Sequence, residues 1–125
     1  MKNVEDILDD LATRLSAVTG CNTCKIGLEP NMTPDDYPII RLVPSRLEPI
    51  EASRRKVQVM VYYGSPIHAF EGMDALYSSL LTMEREIVGM MVAGDGYRIK
   101  HVYTITDEDR LSTYKLFMSL FEVQG

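Results

Sequence analysis

The sequence is short of most of what specialised chemistry requires. It carries two cysteines and two histidines, and His68 and His101 stand far apart. No stretch approaches the roughly 20 apolar residues of a membrane-spanning helix. Positive charge is not in excess. A net charge of -5 at pH 7 argues against a general nucleic-acid binder, which needs clustered Lys and Arg against phosphates, although a local basic patch stays open. The opening MKNVEDILDD lacks the basic start and apolar centre of a secretory signal, so the cytoplasm is the expected compartment. No catalytic constellation stands out, and no catalytic, cofactor-binding or metal-ligating residue is assigned.

What is present is an ordinary globular composition. The chain has 125 residues, 46% of them hydrophobic and 25% charged, which suits one domain spanning residues 1–125 with a single core. Its organising stretch is a strand–helix–strand unit from Arg55 to Ile105. In KVQVMVYY, Val57, Val59, Val61 and Tyr63 share the core face, with Lys56, Gln58, Met60 and Tyr62 opposite. The opposite face is more apolar than free exposure requires. A helical pattern follows from about Phe70 to Met91, built on Met73, Leu76, Tyr77, Leu80, Ile87, Val88 and Met91, with Glu84 as a charged interruption. Leu81, Met83 and Met90 widen it. That width fits a helix sandwiched between the sheet and the N-terminal helix, in which Met fills irregular gaps; the sharper alternative is a Met-rich contact surface. In the strand after Gly96, Tyr97, Ile99, His101, Tyr103 and Ile105 are expected on one face, with His101 a hydrogen-bonded structural residue and His68 a solvated turn residue.

Around that unit, Val4, Ile7, Leu8, Leu11, Leu15 and Val18 form one stripe on a helix from about Val4 to Thr19, with Asn3 as N-cap and Gly20 as C-cap. Cys21 and Cys24 have C-x-x-C spacing. A redox site would set that motif at a helix N-terminus, where the dipole lowers the thiol pKa. Here it follows a helix and leads into a strand at KIGL. A zinc site would need two more ligands. Two small, partly buried side chains beside a turn are the plainer expectation. EPNMTPDD reads as a loop, and YPIIRLV (Tyr37 to Val43) as a strand with Pro38 near its start. Pro44 to Arg54 is either an irregular connection or a hairpin tip that pairs Tyr37–Val43 antiparallel to Lys56–Tyr63. The segment from Leu111 to Val123 fits a helix or a strand, and periodicity does not decide between them.

The order of these elements resembles the small tail terminator (tail completion) proteins of long-tailed bacteriophages and prophages. The resemblance spans nearly the whole chain. It is carried by VEDILDDLATRL, RRKVQVMVYYG, MDALYSSLLTMEREIVGMM, GYRIKHVYTITDED and the closing Tyr114 to Met118; the C-x-x-C and the methionines fall outside it. It implies a terminal strand after a short acidic loop, and hence an α+β fold. The expected sheet is mixed, mainly antiparallel, with four to five strands and two helices packed on one face in the order α-β-β-β-α-β-β. It further implies a non-enzymatic homo-oligomeric ring, commonly sixfold, that caps the tail tube, stops its growth and meets the head-completion protein. The implied partners are the chain itself, the tail tube protein and the head-completion protein, with no direct nucleic-acid specificity and no membrane. The implied location is the host cytoplasm during assembly and then the virion tail. Another head–tail connector or contractile-injection component is the alternative, and a small redox or metal protein using Cys21 and Cys24 is a further one.

A closed ring is a head-to-tail contact and needs two different patches on each copy. Two charge runs qualify: Arg54, Arg55 and Lys56, and Asp107, Glu108 and Asp109. If the two strands of the central unit are parallel, about 30 Å separates the runs at some 3.3 Å per residue. They would then meet only across a subunit boundary.

Overall fold

The computed structural model describes residues 4–19, 21–27, 38–51, 54–66, 72–93, 97–106 and 114–124. Helix α1 (Val4–Leu15) buries Ile7, Leu8, Leu11 and Leu15 along one stripe, and Glu5 and Asp6 in its first turn suit the positive end of the helix dipole. It ends earlier than expected. The N–H groups of Ala17 and Val18 reach the carbonyls of Arg14 and Leu15, a tightening to three-residue turns that still leaves Val18 buried. The expected caps, Asn3 and Gly20, lie outside the described residues, as do the loop at Glu29–Asp36, Tyr37 and His68.

Strand β1 (Thr23–Ile26) begins two residues before KIGL and includes Cys24. Gly27 ends it with φ 85°, a left-handed value suited to glycine. Strands β2 (Ile39–Glu51) and β3 (Arg54–Pro66) form an antiparallel hairpin. The hairpin is longer than the expected pairing because the strand runs on through Pro44 and Pro49. The register shifts beside each proline, and at such bulges a missing N–H disrupts little of the ladder. Helix α2 (Met73–Ala93) follows, then β4 (Arg98–Ile105) and β5 (Tyr114–Gln124).

The strand order is β1-β2-β3-β5-β4. β1 pairs with β2 in parallel and every other pairing is antiparallel, so the fold is the expected α+β arrangement of two helices and a five-stranded mixed sheet. The two strands that flank α2 are not neighbours. β5 lies between β3 and β4, antiparallel to each, so β3 and β4 run parallel one strand apart. The segment that fits helix or strand is thus an internal strand. It is apolar on both faces, with Phe117, Phe121 and Val123 on one side and Leu116, Met118 and Leu120 on the other, all buried, as a strand covered on both sides requires. Gly64 of β3 faces it so closely that a Cβ would run into the Lys115 carbonyl oxygen and the Leu116 side chain.

The main core lies on the helix side, where Val57, Val59, Val61 and Tyr63 of β3 meet Leu11 and Leu15 of α1 and Leu80 and Ile87 of α2. Burial of each such aliphatic side chain contributes about 1.5–3 kcal/mol. α2 is not sandwiched between sheet and helix. Both helices touch the sheet directly and lie side by side: the Thr19 N–H donates to the Glu86 carboxylate at 2.8 Å and the Arg14 guanidinium to the Met91 carbonyl at 3.3 Å. Leu76, Leu80, Met83, Ile87 and Met91 point inward, while Leu81 faces solvent at 46% exposure on the opposite stripe and adds nothing to the core. No described helix is long and apolar enough to cross a membrane.

Candidate functional site

The face of the sheet turned away from the helices divides into two halves. Toward one end it is apolar: Tyr62, Met118 and Leu120 cluster with Val43, Met60 and Ile105. Met60 and Tyr62 are the side chains that read in sequence as more apolar than free exposure requires. Within the single chain, however, Tyr62, Met118 and Leu120 already have no more than 8% of their surface exposed, so this half needs no second copy. Arg41 lies on the same face and is fully buried. Its guanidinium donates to the Thr23 carbonyl and hydroxyl and to the Ile40 carbonyl at 2.8–2.9 Å, which fastens β1 to β2.

Toward the other end the same face is charged. Cross-strand neighbours there run Glu48, Lys56, Gln124, Arg98 and, one row in, Arg46, Gln58, Glu122, Lys100. Lys56 Nζ sits 2.8 Å from Glu122 Oε1, and Arg46 Nε 2.7 Å from Glu48 Oε1. The Lys56 pairing, chiefly its hydrogen bond, holds the Glu122 carboxyl below its ordinary pKa and the Lys56 ammonium above its own. Arg98 and Lys100, both exposed, add cations beyond those the two carboxylates balance.

Of the six residues expected at a subunit contact, Lys56 lies within this grouping and is bonded inside its own chain. Arg54 and Arg55 open β3, where only the backbone is described, and Asp107, Glu108 and Asp109 lie outside the described residues. The register still bears on the expected geometry. Lys56 and Arg98 are both level with Gln124, whereas Ile105 is level with Met118 and Tyr62. The basic run therefore begins at one end of the sheet, and the chain leaves β4 toward the other. Arg46, Glu48, Arg98, Lys100 and Glu122 escaped the sequence reading. Their signal is charge at alternate positions (R-x-E in β2, R-x-K in β4), which becomes a surface only when the register is known.

On the helix side, β4 corrects a second expectation. A bulge at Val102 sets His101 level with Phe121 but Tyr103 level with Leu120. Tyr103 and Ile105 therefore turn to the far face, and Thr104 takes the place beside Ser119 that strict alternation assigns elsewhere. Thr104 Oγ1 donates to Glu84 Oε2 at 3.0 Å and lies 2.8 Å from both His101 Nε2 and Ser119 Oγ; the Tyr63 hydroxyl lies 2.9 Å from Ser119 Oγ. A threonine hydroxyl has one proton, and here the carboxylate takes it. His101 Nε2 must then carry a hydrogen and donate it, Ser119 must donate to Thr104, and Tyr63 to Ser119. The result is a one-way chain of donors ending on Glu84 and bridging the sheet to α2. Burial pushes the Tyr63 hydroxyl pKa well up. The bridge ties β3, β4 and β5 to α2 through hydroxyls that partner one another. Glu84, the charged interruption in the α2 pattern, is its terminal acceptor.

Cys24 Sγ donates to the Ala12 carbonyl at 3.3 Å and Cys21 Sγ to the Thr23 carbonyl at 3.4 Å. Burial raises both thiols, Cys24 to about 11, the reverse of the lowered pKa that makes a cysteine reactive. Among the described residues no three His, Cys, Asp or Glu side chains group to hold a metal ion. A groove of about 510 Å³ runs between Thr19, Pro38 and the Ser78–Thr82 turn of α2, and Glu86, the carboxylate among its described lining residues, accepts from the Thr19 N–H. No protein-family model matches the chain, and no curated protein matches it.

Proposed function

We propose that the chain is a structural virion or prophage protein of the tail terminator kind. Copies join into a ring, by analogy sixfold, that caps the tail tube, ends tail growth and offers a surface to the head-completion protein. The role is architectural and uses no catalysis. The observation that supports this reading most is β5. Periodicity does not decide between helix and strand from Tyr114 onward and propensity leans slightly to helix, whereas the resemblance called for a strand, and a strand lies there in the order α-β-β-β-α-β-β.

Within this reading the charge runs keep their proposed part: Asp107, Glu108 and Asp109 of one copy meet Arg54, Arg55 and Lys56 of the next. Reversing the acidic run to Lys breaks the ring, and reversing the basic run to Glu in the same chain restores it; unchanged ring mass in the first variant, read by native mass spectrometry, removes this contact. The function itself is tested by electron microscopy of tails assembled without the protein. Overlong tails are the expected result. Tails of normal length that fail to join heads point instead to a head–tail connector, and normal particles overturn both.

A further inference from the structure

Charge is divided between the two sides of this molecule. The solvent side of α1 carries Glu5, Asp6 and Asp9, all exposed, while its buried stripe faces the sheet. The opposite side of the sheet carries the charged half with its surplus Arg98 and Lys100, around a shallow depression of about 210 Å³ lined by Arg98, Ile99, Lys100, Glu122 and Gln124. The sheet itself separates the two surfaces, so they cannot meet within one chain. Their spacings agree. Glu5 and Asp9 are one helical turn apart, about 6 Å along the axis, and Arg98 and Lys100 are two residues apart on one strand face, about 7 Å.

We infer that the charged half of the sheet face is a docking surface for a second copy of this chain, which presents the acidic side of its α1. The inference deepens the ring reading by naming a contact for it. That contact rests on Arg98 and Lys100, and of the charge runs only Lys56, among the described side chains, lies on the same surface, bonded to Glu122. A second copy is favoured over another partner because the chain supplies the complementary charge itself, at matched spacing. Docking through the faces also accords with the edges. The Val102 bulge and the four-residue β1 are devices that blunt the pairing of sheets edge to edge.

The test uses the full chain and three charge variants: Glu5→Lys with Asp9→Lys, Arg98→Glu with Lys100→Glu, and all four changes together. The milder pairs Glu5→Gln with Asp9→Asn and Arg98→Gln with Lys100→Gln guard against loss of folding, which circular dichroism monitors. By native mass spectrometry and sedimentation, each two-site variant loses the assembled species at 0.15 M salt and the four-site variant regains it. Raising salt to 1 M, which shortens the screening length from about 8 to about 3 Å, dissociates the wild type. Assembly that ignores both salt and the two-site changes overturns the contact while leaving the ring reading in place. So does a basic-surface variant that stays assembled but loses retention on duplex DNA or heparin, which assigns the surface to a polyanion. A wild type that is monomeric at all concentrations overturns contact and ring together. Charge-dependent assembly, combined with tails of normal length in the absence of the protein, leaves the contact standing and removes the tail reading.

Discussion

At the scale of single residues, Cys24 shows how position decides reactivity. Its spacing from Cys21 is that of a redox motif, but the thiol lies under α1 with its hydrogen on the Ala12 carbonyl and its pKa at about 11. Burial disfavours the thiolate, so at neutral pH both cysteines are thiols and alkylation by iodoacetamide is slow. The rate at Cys24 should rise with pH to a midpoint near 11, as mass spectrometry of timed samples would measure; a midpoint below 9 would refute this. Stability follows the same shift. The folded-state pKa lies above the ordinary value of 9.0, so this thiol's contribution is fully present below about pH 9 and is lost as pH rises from there through about 11. The plain expectation of two partly buried small side chains was legible because C-x-x-C came after a helix instead of before one. The carbonyl each thiol finds was not legible, because Ala12 meets Cys24 only after the chain has folded back.

At the scale of elements, the polar bridge between β4, β5 and α2 fixes how the long helix sits on the sheet. Tyr63, Ser119 and Thr104 give one another's hydroxyls a partner away from water, and Glu84 ends the chain. Ser119→Ala removes the acceptor for the buried Tyr63 hydroxyl and a donor to Thr104, and an orphaned buried polar group costs about 1–3 kcal/mol. The expected outcome is a loss of that size in urea unfolding, with Ser119→Ala plus Tyr63→Phe recovering part of it because no hydroxyl is then stranded. Equal stability of Ser119→Ala and wild type would count against the bridge. Helices α1 and α2 and strand β3 were legible in the sequence, since each carries one clear period along its core face. The sequence was silent on Thr104, because one extra residue at Val102 reverses the facing of everything after it. It was divided on β5, because a strand apolar on both faces has no alternation to show.

At the scale of the whole molecule, the two halves of the far sheet face behave differently, and sequence alone could not separate them. Met60 and Tyr62 of β3 were legible as apolar residues on the face opposite the core. That Tyr62 is closed off within the chain while Lys56, three pairs along, lies among exposed charges depends on which strands flank them. Hydrogen exchange should follow the same layering. The amides of β3 and β5, internal to the sheet and covered on the helix side by the main core, should exchange slowest. Those of β1, four residues at an edge, should exchange fastest among the strands. Protection in β1 equal to that in β5 would contradict this arrangement.

The position of β5 has a consequence for how the protein is made. It is the latest of the elements to leave the ribosome, yet both β3 and β4 need it as their neighbour. Until it arrives, the hairpin of β2 and β3 presents an unpaired apolar strand, and β4 has no strand to pair with. Sheet completion therefore waits for the last of these elements in chain order and closes the long connection between β3 and β5 in one step, the kind of step that makes folding slow. A nascent chain stalled before Tyr114 would hold two sticky, unmatched halves, each able to find the β5 of another copy before its own. For a protein read as a ring builder, exchange of that one strand between copies is the misassembly that synthesis has to outrun.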